Sequence, residues 1–184
     1  MSTVKEILTS LLANLPDDLP KIHESAWISP KDIPFSAEVR ELCRANRCGR
    51  YGKSWSCPPG VGEWTDLRDR YQSFDEAFLF TTCHELEDSF DYEGMLAAGD
   101  LHKKLDDLIA DALYGFNGKC VHLSAGACNI CEKCTYPDAQ CRFPDKARQS
   151  LEASGIDVVS LARVCGVRYI NGPETVTYFS LILM

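Results

Sequence analysis

The chain has 184 residues, of which 45% are hydrophobic and 25% charged, enough for one domain (1–184) with a real core. Its net charge of −8 argues against nucleic acid as the main partner, because binding phosphates needs a surplus of Lys and Arg on one face. No stretch approaches the roughly 18–20 apolar residues of a bilayer span. Met1 to Leu15 carries Lys5 and Glu6 at helical spacing rather than a signal-peptide core, so the expected setting is the cytoplasm, with no membrane partner.

Residues 3–14 place Val4, Ile7, Leu8, Leu11 and Leu12 on one stripe and predict an amphipathic helix. Pro16 and Pro20 end it, and KIHESAWISP (21–30) reads as a short strand. Ser36 is the expected N-cap of a helix over 36–46. Arg47 to Gly62 holds four glycines, Pro58-Pro59 and two cysteines, which makes it a loop that something other than a core must shape. A helix over 62–71 follows, then a strand within 74–86. Leu96, Leu101, Leu105, Leu108, Ile109 and Leu113 predict a long helix over 93–114, with Gly115 and Gly118 as stop signals.

Residues 119–124 look like another strand, and 126–144 form a second cysteine-rich loop. A helix is expected over 146–154, ended by Gly155, and then a strand or short helix over 156–165. The closing TVTYFSLILM is nearly all apolar, so it should be a central, covered strand. The fold class is therefore α+β, or α/β, with a small sheet of about three to five strands flanked by helices.

Ten cysteines dominate the chemistry. Cytoplasmic thiols stay reduced, and these are bunched rather than spread, so shared metal ligation explains them better than disulfides. Cys128, Cys131, Cys134 and Cys141 form C-x2-C-x2-C-x6-C. Three thiolates at this spacing reach three corners of one iron–sulfur cubane, and a fourth closes the site or serves a neighbouring cluster. The last gap is longer than in bacterial ferredoxins, and the proline, Pro144, stands three residues beyond Cys141. Zinc is the alternative, although zinc folds usually supply two separated pairs.

A second group, Cys43, Cys48 and Cys57, forms C-x4-C-x8-C ahead of Pro58. Arg40, Arg44, Arg47, Arg50 and Lys53 surround it, a basic concentration suited to an anionic cluster or an anionic substrate; Arg142 stands likewise beside Cys141. The fourth ligand of this group could be Cys83, the first choice, or Cys120, Cys165 or Cys141; without one, an iron keeps an open position for a small-molecule ligand. Buried core positions suit Cys120 and Cys165 better. His23, His84, His102 and His122 lack paired metal spacing, and no nucleotide-binding fingerprint, zinc-protease motif or hydrolytic triad is present.

CRANRCGRYGKSWSCPPG, AGACNICEKCTYPDAQCRFPDKARQSLEASGIDV and the terminal TVTYFSLIL together resemble a prokaryotic family of predicted metal-binding proteins (domain of unknown function 2284). The resemblance runs from about Cys43 to the end. It implies metal binding by the seven cysteines of the two motifs and supplies no reaction. Two [4Fe-4S] clusters exchanging electrons with a redox partner protein, an enzyme or accessory protein with one structural cluster and one cluster that keeps an open iron, and a zinc-stabilised interaction module are the three functions these residues allow.

Overall fold

The computed structural model describes residues 3–116 and 119–184. Gly118, one of the two expected stop signals, lies outside them. Five α-helices and a four-stranded antiparallel sheet make an α+β fold. The helices are α1 (Val4–Ala13), α2 (Ala37–Arg44), α3 (Trp64–Tyr71), α4 (Tyr92–Ala112) and α5 (Val158–Cys165). The strands are β1 (Ser25–Ile28), β2 (Ala77–Glu85), β3 (Val121–Leu123) and β4 (Thr175–Leu183), in spatial order β1-β2-β4-β3.

Local chemistry explains the helix starts. Thr3 and Glu6 close a capping box on α1, and the Ser36 hydroxyl accepts the Glu38 N–H at 3.1 Å to start α2. The C-terminal β4 is central as its apolarity requires, paired along its whole length with β2 and near its end with β3.

Alternate residues of a strand face opposite sides. Ala77 and Leu79 of β2, with Phe179 and Leu181 of β4, pack against Tyr71, Ile156, Leu161 and Ala162. Phe78, Phe80 and Ile182 pack on the other side against Val4, Leu8, Leu105 and Ile109. The sheet is thus sandwiched, with α1 and α4 on one face and α5 on the other.

Two expectations are corrected. The helix over 146–154 is absent except for one 3-10 turn at Glu152–Ser154. The Gln149 carbonyl instead accepts the Ser124 N–H at 3.0 Å, and Ser150 bridges Ser124, so this segment runs extended beside β3. The buried stripe of α4 is also rotated: Ala98, His102, Leu105, Asp106 and Ile109 are buried, while Leu96 is 53% exposed.

Candidate metal centre

Cys43 stands in the last turn of α2, its thiol directed at the Glu152 carbonyl at 3.9 Å. One turn earlier, Arg40 donates to the Ala153 carbonyl and, at 2.7 Å, to the Gly62 carbonyl. The guanidinium therefore ties α2 both to the 3-10 turn and to the far end of the first cysteine loop. Within that loop the Asn46 side chain accepts the Tyr51 N–H at 3.0 Å, and the Gly52 N–H reaches back to the Pro58 carbonyl at 2.8 Å. Cys48 is exposed and Cys57 buried. Burial pushes the Cys43 thiol up; Arg40 opposes this, while Glu152, Cys48 and Cys57 add to it. Burial also raises Cys57, against a Ser56 hydrogen bond, with the Cys48 and Cys128 sulfurs adding to the rise and Arg50 opposing it. The Cys48 sulfur thus bears on both Cys43 and Cys57, and the Cys128 sulfur on Cys57.

The second loop leaves β3 and wraps a small pocket. Cys128, Cys131, Cys134 and Cys141 all line it, together with Ser54 and Ser56 from the first loop. Cys141 therefore shares a wall with the rest of its own motif. The loop is closed by Arg142, which donates to the Lys133 carbonyl at 3.0 Å, and by Thr135, which donates to the Gln140 carbonyl at 2.8 Å. Burial pushes the Cys134 thiol up, but hydrogen bonds from the Tyr136, Trp55 and Thr135 backbone and from the Ser54 side chain outweigh it and hold the thiol below its ordinary value. N–H and O–H donors aimed at sulfur stabilise the thiolate, the form that binds metal.

The two loops pack on each other. The Ser56 hydroxyl accepts the Cys128 N–H at 3.2 Å, and the Trp55 indole donates to the Ala139 carbonyl at 3.0 Å. Trp55 meets Tyr136 edge to face, with ring centroids 4.8 Å apart. Gly60 makes the approach possible, since a Cβ there would stand 2.7 Å from the Ser54 carbonyl and 2.8 Å from the Tyr136 ring. The donor set suits a soft metal: four thiols and no carboxylate line the pocket of the second motif. Among the described residues, no three His, Cys, Asp or Glu side chains are arranged to hold a single metal ion.

A family model for predicted metal-binding proteins (DUF2284) matches residues 26–184. The chain belongs to this family. The DUF2284 match takes in all ten cysteines and leaves α1 outside. No curated protein and no solved structure matches the chain.

Other expected site residues of this DUF2284 chain fall elsewhere. Cys83 sits on β2 opposite Thr177, away from the pocket wall. Cys120 packs with the core beneath α1 and α4, and Cys165 with the opposite core. Arg44 pairs with Glu41 at 3.1 Å on the surface of α2. Arg47, Arg50 and Lys53 are exposed around the first loop, and of these Arg50 acts on Cys57.

The sequence reading missed a buried polar network. Asp106 is fully buried and accepts hydrogen bonds from Ser180 at 2.7 Å and from Ser124, with His122 Nε2 at 2.8 Å. Burial alone would raise its pKa, but His122, His102 and the Ser124 hydroxyl lower it to about 2. His102, also fully buried, lies between Thr82 at 2.8 Å and Ser180 at 2.9 Å, and desolvation lowers its pKa to about 4. The available signal was positional: His102 and Asp106 are one turn apart on the stripe that carries Leu105 and Ile109.

Proposed function

We propose that this chain is an iron–sulfur protein carrying two [4Fe-4S] clusters, one on each cysteine group, that passes electrons to a redox partner protein. The observation that carries the reading is the contact between the loops, where the Ser56 hydroxyl, next to Cys57 in sequence, accepts the Cys128 N–H at 3.2 Å. Two neighbouring groups of thiolates suit a short electron path. Thiols set around a pocket, rather than converging on one point, suit a multinuclear cluster in which each iron takes its own thiolate. Bound clusters would supply one-electron exchange. The chain itself supplies the thiolates, the N–H donors that offset their charge around Cys134, and Arg50 and Arg142 at the rims.

A second reading, an enzyme or accessory protein in which the cluster on the first group keeps an open iron beside a structural cluster on the second, is favoured by the place of Cys83 on β2 and of Cys120 and Cys165 in the two cores, which leaves three thiols in the first group. Iron and acid-labile sulfide analysis of anaerobically purified protein tests both. About eight of each per chain is expected for two cubanes. Zinc without sulfide would overturn the proposal in favour of an interaction module. An electron paramagnetic resonance signal that changes on adding cyanide would select the open iron, and loss of one cluster in Cys83→Ala would eliminate it.

A further inference from the structure

Two hydroxyls stand where the cysteine loops meet. Ser54 and Ser56 come from the first loop, are each only 5% exposed, and line the pocket of Cys128, Cys131, Cys134 and Cys141. Cys57 of the first group follows Ser56 directly in sequence. The pair therefore borders both groups of thiols.

Their hydrogen bonds leave one hydrogen over. The Ser54 and Ser56 hydroxyl oxygens lie 2.9 Å apart, room for one O–H between them. The Ser54 oxygen also accepts the Ser56 N–H at 3.2 Å, and the Ser56 oxygen accepts the Cys128 N–H at 3.2 Å. A serine hydroxyl has one hydrogen and two lone pairs. Two hydroxyls hold two hydrogens, and the bond between them takes one. The other makes no bond to a nitrogen or oxygen among the described residues. Of the remaining polar side chains on the pocket wall, Arg142 only donates, and Thr135 gives its hydroxyl to the Gln140 carbonyl. The acceptors left for a buried hydrogen there are sulfurs, and buried polar groups are nearly always paired.

The sulfur that receives this hydrogen depends on which way the pair points, and either oxygen can be the donor in the bond between them. With Ser56 donating to Ser54, the Ser54 hydrogen serves the second group. With Ser54 donating to Ser56, the Ser56 hydrogen serves the first. The same side chains favour one thiolate in each group, Ser54 that of Cys134 and Ser56 that of Cys57. We propose that Ser54 and Ser56 form a two-way hydroxyl relay between the cysteine groups, giving one hydrogen bond to the cluster of whichever group carries more negative charge. The relay rests on the two-cluster reading above. Neither hydroxyl ionises. When one cluster gains an electron in its exchange with the redox partner, the pair only turns, and no covalent bond forms or breaks. Hydrogen bonds to cluster sulfur favour the reduced, more negative form and so raise its potential. The relay lends that support to one cluster at a time.

An anaerobic redox titration of the metal-loaded protein, followed by electron paramagnetic resonance, tests this. Ser54→Ala removes the hydrogen that serves the second group and leaves the Ser56 hydroxyl only the first. One midpoint should fall by at least about 59 mV, a tenfold change in a one-electron equilibrium, and the other should not fall. Ser56→Ala should lower the other midpoint instead, because Ser54 then has only the second group to serve. That variant also frees the Cys128 N–H, which adds a donor on the second group's side and so does not lower its midpoint. Electron–nuclear double resonance after exchange into D2O separates hydrogen bonding from packing: the cluster whose midpoint falls should lose one exchangeable proton. Unmoved midpoints, the same midpoint lowered by both variants, or a lowered midpoint with no proton lost would each overturn the relay while leaving the two clusters in place. Zinc without sulfide in the purified protein would instead remove the two-cluster reading, and the relay with it.

Discussion

Replacing Asp106 tests whether the buried network holds the fold together through hydrogen bonding. Leucine has a similar volume and no acceptor, so Asp106→Leu strands the Ser124 and Ser180 hydroxyls and the His122 N–H. Each buried donor left bare costs about 1–3 kcal/mol, and relief from burying a charge recovers part of the total. A net loss of about 3 kcal/mol or more is expected. Asp106→Asn keeps one oxygen for Ser180 and His122, and its amide meets a Ser124 hydroxyl free to turn and accept. It loses only the charge assistance, about 1 kcal/mol per bond, offset by cheaper burial of an amide, for a net of about 1–2 kcal/mol. Urea unfolding followed by tryptophan fluorescence should rank the unmodified protein above Asp106→Asn and that above Asp106→Leu, with an unchanged dependence on urea. A leucine variant within about 0.5 kcal/mol of the original, or one more stable than the asparagine variant, would refute the reasoning.

His102 gives a pH dependence. Its folded pKa of about 4 lies below the ordinary 6.5, so its contribution is complete above pH 6.5 and lost as pH falls through about 4. That difference amounts to about 3 kcal/mol across the window. His102→Gln should flatten the pH profile of the urea midpoint between these values; an identical slope in both proteins would show that another group is responsible. Gly60→Ala should drive a methyl group against the Ser54 carbonyl and the Tyr136 ring and push the loops apart, and faster loss of metal to a chelator is the expected readout; an unchanged rate of loss would show that the loops accommodate the methyl group. Arg40→Ala removes two carbonyl contacts that hold α2 and should cost about 2 kcal/mol in the same urea assay.

Much of the fold was legible because periodicity and end signals agreed. The Val4–Leu12 stripe, the Ser36 cap and the apolar β4 segment each pointed to the element that formed. The 146–154 segment shows where local reading stops. Its residues tolerate a helix, but the edge of β3 needed a partner for the Ser124 N–H, and Gln149 and Ser150 supplied it from across the chain. The thiol groups were legible as spacing, since ligands to one site recur closely in sequence. The contact between the loops was not, because it depends on Gly60, Trp55 and Ser56 finding Tyr136, Ala139 and Cys128 more than seventy residues later. The Asp106 network was illegible for a similar reason. A buried carboxylate is tolerable only with its partners present, and those partners come from β3 and β4.

Ser124 explains why a polar group is placed at that depth. Its side chain donates to Asp106 and its backbone N–H to Gln149, so both its polar hydrogens are anchored just before the chain turns at Gly126 toward Cys128. It also lines a small pocket with Gly126, Ala127 and Cys128. A loop with no regular structure inherits its position from the last residue that the core holds. In this chain that residue is held by a carboxylate fixed in turn by His122 and Ser180. The start of the second cysteine loop and His122 on β3 therefore share one buried acceptor. Loosening Asp106 should disturb both, whereas a change at the exposed Arg70 should leave the thiol pocket as it is.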